Sequence, residues 1–163
     1  MRYAALLLVL AITSCQARQV QAPTQAPVVA IPEDQKTAIE GVVEQYRQAH
    51  EVSSLKALEA LYSQDLDLVL VYQGQQHQGW TAVQTFLAAR FEGADEVRMG
   101  IKEVAIRSTG PNSAIVTAKR DSSVKNGAIT LTETGILTLA LQKREGRWLV
   151  VAQHFSYPPS VAR

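Results

Sequence analysis

Glu133 stands where a carboxylate is costly. Between Ile129 and Leu141, the residues Ile129, Leu131, Leu137, Leu139 and Leu141 alternate onto one face of a strand, and Thr130, Thr132, Thr134 and Thr138 onto the other; Glu133 and Gly135 fall in register with the leucines. A carboxylate on an apolar face must be paired, hydrogen-bonded or left with a raised pKa. The last state suits a general acid or base. The alternatives are that this end of the face opens to solvent, or that Glu133 meets Arg120 or another cation across strands. His154 is the second group that could move a proton, because Trp148, Val150, Ala152, His154 and Ser156 alternate onto one face of the last strand. Its imidazole titrates near neutral pH and could also orient a polar ligand group; equally, it is a satisfied histidine at the core margin. Tyr46 is the third, on the apolar stripe of a helix with a hydroxyl able to donate. His50, His77 and His154 show no close ligand spacing, so no metal site is expected. The sequence has no Gly-rich phosphate loop, nucleophile elbow or Cys-His pair, so no cofactor is expected either.

The elements that must position these groups follow from periodicity. Ile39, Val42, Val43 and Tyr46 fall at i, i+3, i+4, i+7, the stripe of an amphipathic helix, with Asp34 as its expected N-cap. Leu55, Leu58, Leu61 and Tyr62 make a second, shorter stripe capped by Ser53 or Ser54. Asp67 to Tyr72 reads as a strand and Gln73 to Gln78 as a polar loop; Gly79-Trp80 opens a third helix carrying Trp80, Val83, Phe86 and Leu87. From Val97 the period becomes two. Val97, Met99 and Ile101 alternate, then Val104 and Ile106 continue in the opposite phase, as a β-bulge produces. Gly110-Pro111-Asn112, Asn126-Gly127 and Glu145-Gly146 mark turns between long strands. The class is therefore α+β, helices first and an antiparallel meander after.

Two stretches resemble the nuclear-transport-factor-2-like (NTF2-like) superfamily, especially its SnoaL-like and ketosteroid-isomerase-like members. They are Gly79-Trp80-x-x-Val83-x-x-Phe86 and the closing run from Gly146-Arg147-Trp148 to His154-Phe155-Ser156. The resemblance covers about Gln35 to Pro158 and implies a cone: N-terminal helices in the concave face of a curved antiparallel sheet. It also implies a cavity that Tyr62, Tyr72, Trp80, Phe86 and Trp148 could line, although aromatics at such spacings also serve as plain core, and a homodimer formed through the sheet, for which the threonine face is the expected surface. Val42 to Tyr46 is similar to the first-helix stretch of bacterial ketosteroid isomerases, whose tyrosine donates to a developing oxyanion. Their general base, however, would fall at Leu70 and their second oxyanion acid near Leu137. Neither aliphatic side chain can do that work, so authentic steroid isomerisation is not expected.

Cys15, the only cysteine, follows Arg2, an apolar run from Tyr3 to Ile12, and the small pair Thr13-Ser14. The run is too short for a bilayer, which takes about 20 apolar residues, and has the pattern of a signal peptide over residues 1–14. Ile12-Thr13-Ser14-Cys15 resembles the bacterial lipobox, which implies acylation of Cys15; ordinary secretion with cleavage near Ala17 is the alternative. Two or more acyl chains anchor stably where one is marginal. Gln16 rather than Asp then favours the outer membrane over the inner. Residues 15–33, rich in Pro, Gln and Ala, read as a tether spanning about 25 Å as a coil; residues 34–158 form one domain and 159–163 a tail. Charges balance, 16 Lys and Arg against 15 Asp and Glu, without like-charged runs, which excludes a nucleic-acid partner. The expected protein is a membrane-anchored, periplasm-facing cone that binds a small amphipathic ligand or a protein partner without catalysis. The alternative is a proton-transfer enzyme, an isomerase or dehydratase, using Glu133 or His154 with Tyr46.

Overall fold

A computed structural model describes residues 31–157. Cys15, the signal peptide and nearly all of the tether lie outside the described residues, as do Pro158 and the tail. Helix α1 runs Glu33–Glu51, α2 Leu55–Glu59, and α3 Gly79–Phe91. The strands are β1 Val69–Tyr72, β2 Gln75–Gln78, β3 Glu96–Gly110, β4 Ser113–Asn126, β5 Ile129–Arg144 and β6 Arg147–Ser156. They form one sheet in the order β2-β1-β6-β5-β4-β3.

Helix α1 starts two residues earlier than Asp34 as N-cap would set it. Pro32, in extended conformation, precedes the first turn without a side-chain cap. Proline pre-sets the backbone for a helix start, and Glu33 and Asp34 place negative charge at the positive end of the helix dipole. Asp34 is thus a first-turn residue, not the cap. Ser54 does cap α2, its Oγ accepting from the Ala57 N–H at 3.2 Å. Along α1, Ile39, Val42, Val43, Tyr46, Ala49 and His50 are buried, and the apolar ones share a core with Leu137, Leu139 and Leu141 of β5. Gly41 lies inside this helix, and a Cβ there would touch nothing within 4 Å. Gly41→Ala is therefore expected to stabilise the domain by about 0.5–1 kcal/mol through helix propensity and a less flexible unfolded chain; urea denaturation would measure it.

The sheet differs from a wholly antiparallel meander in two respects. β1 pairs with β6 in parallel, Val69 opposite Ala152 and Tyr72 opposite Phe155. The polar segment expected as a loop also contains β2, antiparallel to β1 through a turn at Gln73 and Gly74, both with positive φ. Its residues are mostly exposed at the sheet edge, so no apolar alternation marks it.

Bulges bend two of the strands. In β3, Glu103 adopts φ +52° where the register with β4 jumps between Lys102 and Ala105, which turns both Ile101 and Ile106 toward the core. In β6 the register with β5 slips between Ala152 and Val150. The same backbone exchanges hydrogen bonds with the end of α2: Val150 N–H donates to Leu61 C=O and Ser63 N–H to Val150 C=O, at 2.8 and 2.9 Å. That docking accounts for the extra residue. Its consequence is a reversal of phase: Trp148 and Val150 are buried, and beyond the bulge so are Gln153 and Phe155.

Among the described residues, no helix is long and apolar enough to cross a membrane.

Candidate functional site

On the inward face of β4 the buried series Ala114, Val116, Ala118 continues into Arg120 and Ser122. Register places Arg120 between Ile101 of β3 and Gly135 of β5, and Ser122 between Met99 and Glu133. Gly135 is the residue that makes room. A Cβ there would lie 3.1 Å from the Phe155 ring, and the Arg120 guanidinium stacks on that ring at 4.0 Å. The aromatic face thus orients the arginine.

From this position Arg120 Nη2 donates to Glu133 Oε2 at 3.3 Å and to Ser122 Oγ at 3.1 Å. Arg90, in the last turn of α3, reaches the same carboxylate oxygen at 3.0 Å and lies 4.4 Å over the Tyr72 ring. Tyr72 donates its hydroxyl to the other oxygen, and Ser122 Oγ–H donates at 3.4 Å. Burial pushes the Glu133 carboxyl up, but the Tyr72 hydroxyl and the charges of Arg90 and Arg120 outweigh it and hold the pKa below the usual carboxylate value. Glu133 is therefore ionised and fully engaged at neutral pH. Of the states open to it from sequence, the structure selects pairing with Arg120, and it does not leave a raised pKa suited to a general base.

On the α1 side, the Tyr46 and His50 rings lie one turn apart, tilted at 58° with centroids 4.4 Å apart. Burial chiefly, with Arg120 and Arg90, lowers the His50 pKa to about 3, so the imidazole is neutral. Burial raises the Tyr46 phenol, which the charge of Arg120 offsets in part, so it remains protonated. The Tyr46 hydroxyl, His50 Nε2 and Arg120 Nε are all buried without a hydrogen-bond partner among the described residues. His50, Arg90, Phe91, Arg120 and Ser122 border a cavity of about 10 Å³, with Val97, Met99 and Val124 on its far wall. That is the space of roughly one oxygen atom.

His154 lies outside this group. The β6 bulge turns it outward, where it is exposed and pairs in register with Thr138 on the outer face of β5; it does not share a face with Trp148. Gln153 takes the inward position instead, and Tyr62 donates its hydroxyl to Gln153 Oε1. The proposed pocket aromatics are core. Tyr62, Tyr72, Trp80 and Trp148 belong to the main apolar cluster and Phe86 packs against it, with Tyr62 and Trp80 rings 5.8 Å apart and Tyr72 and Phe86 5.2 Å apart. None borders the inner cavity; Tyr72 touches the polar site through Glu133 and Tyr62 through Gln153. Leu70 and Leu137 are buried, and no carboxylate stands in for either.

Arg90, His50, Ser122 and Gln153 were not picked out from sequence as site residues. Arg120 and Ser122 carry the same alternation signal as Glu133, two apolar faces meeting in register. Arg90 falls three and seven residues after Leu87 and Val83, on the inward face of α3. Gln153 gives no such signal, because the bulge ahead of it changes its face.

A larger groove of about 430 Å³ crosses β3, β4 and β5, bordered by Arg98, Asp121, Ser123, Thr132 and Thr134 and also by Glu51, Met99, Ser122 and Glu133. It meets a second, more apolar groove of about 290 Å³ at Thr134, bordered by Lys119, Ile136, Ser156 and Tyr157. Among the described residues there is no cluster of three or more His, Cys, Asp or Glu able to hold a metal.

A family described as "SnoaL-like domain" matches residues 39–160. A comparison with curated proteins gave no match. Among solved structures, an NTF2-like superfamily protein of Salmonella enterica serovar Typhimurium LT2 superposes with TM-score 0.72 at 15% identity, over 80% of this chain and 95% of that one. A proposed scytalone dehydratase of Novosphingobium aromaticivorans gives 0.72 at 14% identity, over 80% and 91%. An NTF2-like protein of unknown function from Shewanella oneidensis MR-1 gives 0.61 at 25% identity, over 75% and 98%. These likenesses establish the NTF2-like fold.

Proposed function

The chain belongs to the SnoaL-like family, and on that premise we propose that it is a binding domain rather than an enzyme, tethered to the bacterial cell envelope through lipid on Cys15. Its ligand is a small amphipathic molecule or a protein partner. The observation that carries this reading is the state of Glu133: a carboxylate already accepting from Arg90, Arg120, Tyr72 and Ser122 has no reason to take a proton from a substrate. A general base needs the opposite environment, one that favours the neutral acid. The outer face of β5 and β6, with Ile136, Thr138 and Ala140, is the surface we assign to a second copy of the chain.

The competing reading is a proton-transfer enzyme with Tyr46 as electrophile. What favours it is the buried, unpaired Tyr46 hydroxyl and the presence of a proposed dehydratase among proteins of this fold.

A thermal-shift screen of the full chain against small carboxylates, lipids and sterols separates the two. The binding reading expects a saturable rise in midpoint with the compound recovered unchanged. Conversion of a bound compound, abolished by Tyr46→Phe, would establish the enzyme instead. Anchoring has its own measurement. Intact mass of membrane-purified protein should show a chain beginning at Cys15 with at least two acyl groups, absent from Cys15→Ser. An unacylated mature chain would refute it.

A further inference from the structure

The hairpin between β4 and β5 carries a residue pair with chemistry of its own. Asn126 precedes Gly127, and the other asparagine of the chain, Asn112, precedes Ser113. The side-chain amide of an asparagine is an electrophile toward the backbone nitrogen of the next residue, and a glycine there has no Cβ to block the approach. Register pairs Asn126 with Ile129, so the turn centres are Gly127 and Ala128. Of the two only Gly127 has positive φ, +58°, as a type II′ turn requires. Asn126 is therefore the last residue of the ladder, in extended backbone. Asp95, Asn126 and Gly127 are all exposed, so water reaches them.

The loop between α3 and β3 clasps this turn. Asp95 N–H donates to Lys125 C=O at 2.8 Å, and Gly127 N–H donates to Asp95 Oδ2 at 2.7 Å. A hydrogen bond to a carboxylate at this length is one of the stronger kinds open to a backbone N–H. The Asn126 amide lies against Gly93, where an added Cβ would come within 3.0 Å of its nitrogen. The nucleophilic nitrogen and the electrophilic amide are thus each engaged by a different residue of the loop.

We propose that Asn126 is a site of spontaneous covalent modification, succinimide formation with Gly127, and that Asp95 restrains it. The Gly127 nitrogen loses its proton to solvent and bonds to Asn126 Cγ; the Cγ–Nδ2 bond breaks and ammonia departs. Water then opens the ring. Hydrolysis at Cγ leaves an aspartate, and hydrolysis at the backbone carbonyl leaves an isoaspartate whose chain runs through Cβ. Ring closure needs Cβ and the Gly127 nitrogen eclipsed about the Cα–C bond, an arrangement that an extended residue lacks. The reaction therefore passes through local opening of the hairpin end, and the Asp95 clasp sets how often that end opens. Either product places a second carboxylate beside Asp95, where the two like charges repel. It does so at an end of the sheet where Ile129 and Leu131 are 65% and 66% exposed.

The test incubates the full chain in non-ionic detergent at neutral pH, both folded and in urea, and maps its peptides by mass spectrometry. The readout is replacement of the side-chain NH2 by OH at Asn126, with Asn112 as internal comparison. In the folded protein Asp95→Ala should speed conversion at Asn126 about 10-fold, the low end for a hydrogen bond to a charged group. Asp95→Asn keeps an acceptor oxygen and should fall between. The rate at Asn112 should not change. In urea all three proteins should convert Asn126 at one rate, faster than the folded wild type. Asn126→Gln should abolish the conversion, because the longer side chain closes its ring far more slowly.

Equal folded rates with and without the Asp95 carboxylate would overturn the restraint. So would equal acceleration at Asn112, which would mean a general loosening of the fold. Slower conversion in Asp95→Ala would reverse the role of Asp95, making it a base that takes the Gly127 proton. Absence of conversion at Asn126 in urea would overturn the site itself. None of these outcomes bears on the binding reading, which the ligand screen tests separately.

Discussion

Glu133→Ala is expected to destabilise the domain by about 3–5 kcal/mol, the loss typical when one partner of a buried ion pair is removed. The reason is what remains. Arg120 is 3% exposed and Arg90 sits in the same crevice, so deleting the carboxylate leaves two like charges facing each other with Tyr72 and Ser122 unmatched. For a domain of this size the thermal midpoint should fall by about 10 °C or more. Glu133→Gln should cost less, because the amide oxygen still accepts from Tyr72, yet the charge imbalance persists.

The double variant Arg120→Met with Glu133→Leu should recover much of the loss, since well-packed apolar replacements of buried ion pairs are often neutral or better. If it does, the polar cluster is retained for binding, not for stability. If Glu133→Ala leaves the midpoint unchanged, the cluster is not engaged as described.

The same group sets a pH dependence. Its folded pKa lies below the ordinary 4.5, so its contribution to stability is present above about that pH and is lost as the pH falls through the folded value. Acid titration of stability should therefore show a drop below pH 4.5 that is reduced in Glu133→Gln.

Alternation alone singles out Glu133, and it holds there because β5 carries no irregularity over the residues concerned. Leucines at 137, 139 and 141 and the glutamate at 133 do share a face. The β3 bulge is legible for the same reason: apolar residues on both sides of it reveal the change of phase. The β6 bulge is not. Leu149, Val150, Val151 and Ala152 are apolar on both faces, so an inserted residue leaves no trace in the pattern, and one residue of slip carries every later side chain to the opposite face. That slip moves His154 outward and hides Gln153. The cause is tertiary, the backbone of Leu61 to Ser63 docking on Val150, and no local window contains it. The convergence of α1 and α3 on Arg120 is likewise a property of packing: His50, Arg90 and Arg120 lie far apart in sequence, with nothing local to relate them.

Gly135 joins these threads in one position, and Gly135→Ala should reveal it. The glycine φ is not in question; space is. A Cβ at this residue would collide with the Ser156 carbonyl oxygen, a backbone atom that no rotamer change can move, and would lie 3.1 Å from the Phe155 ring. Either the end of β6 separates from β5 or Phe155 is displaced. The first loses the pairing of Ile136 with Ser156 and Leu137 with Phe155. The second removes the face on which Arg120 is stacked. Overpacking of this kind costs typically 1–3 kcal/mol and occasionally more; with backbone as the obstacle, about 3 kcal/mol is expected in urea denaturation. Because the displacement reaches Glu133 through Phe155 and Arg120, Gly135→Ala and Glu133→Gln should be less than additive, with a coupling of about 0.5 kcal/mol or more. Additive losses would mean that the alanine disturbs only the strand end, and that the aromatic ring does not hold the arginine in place.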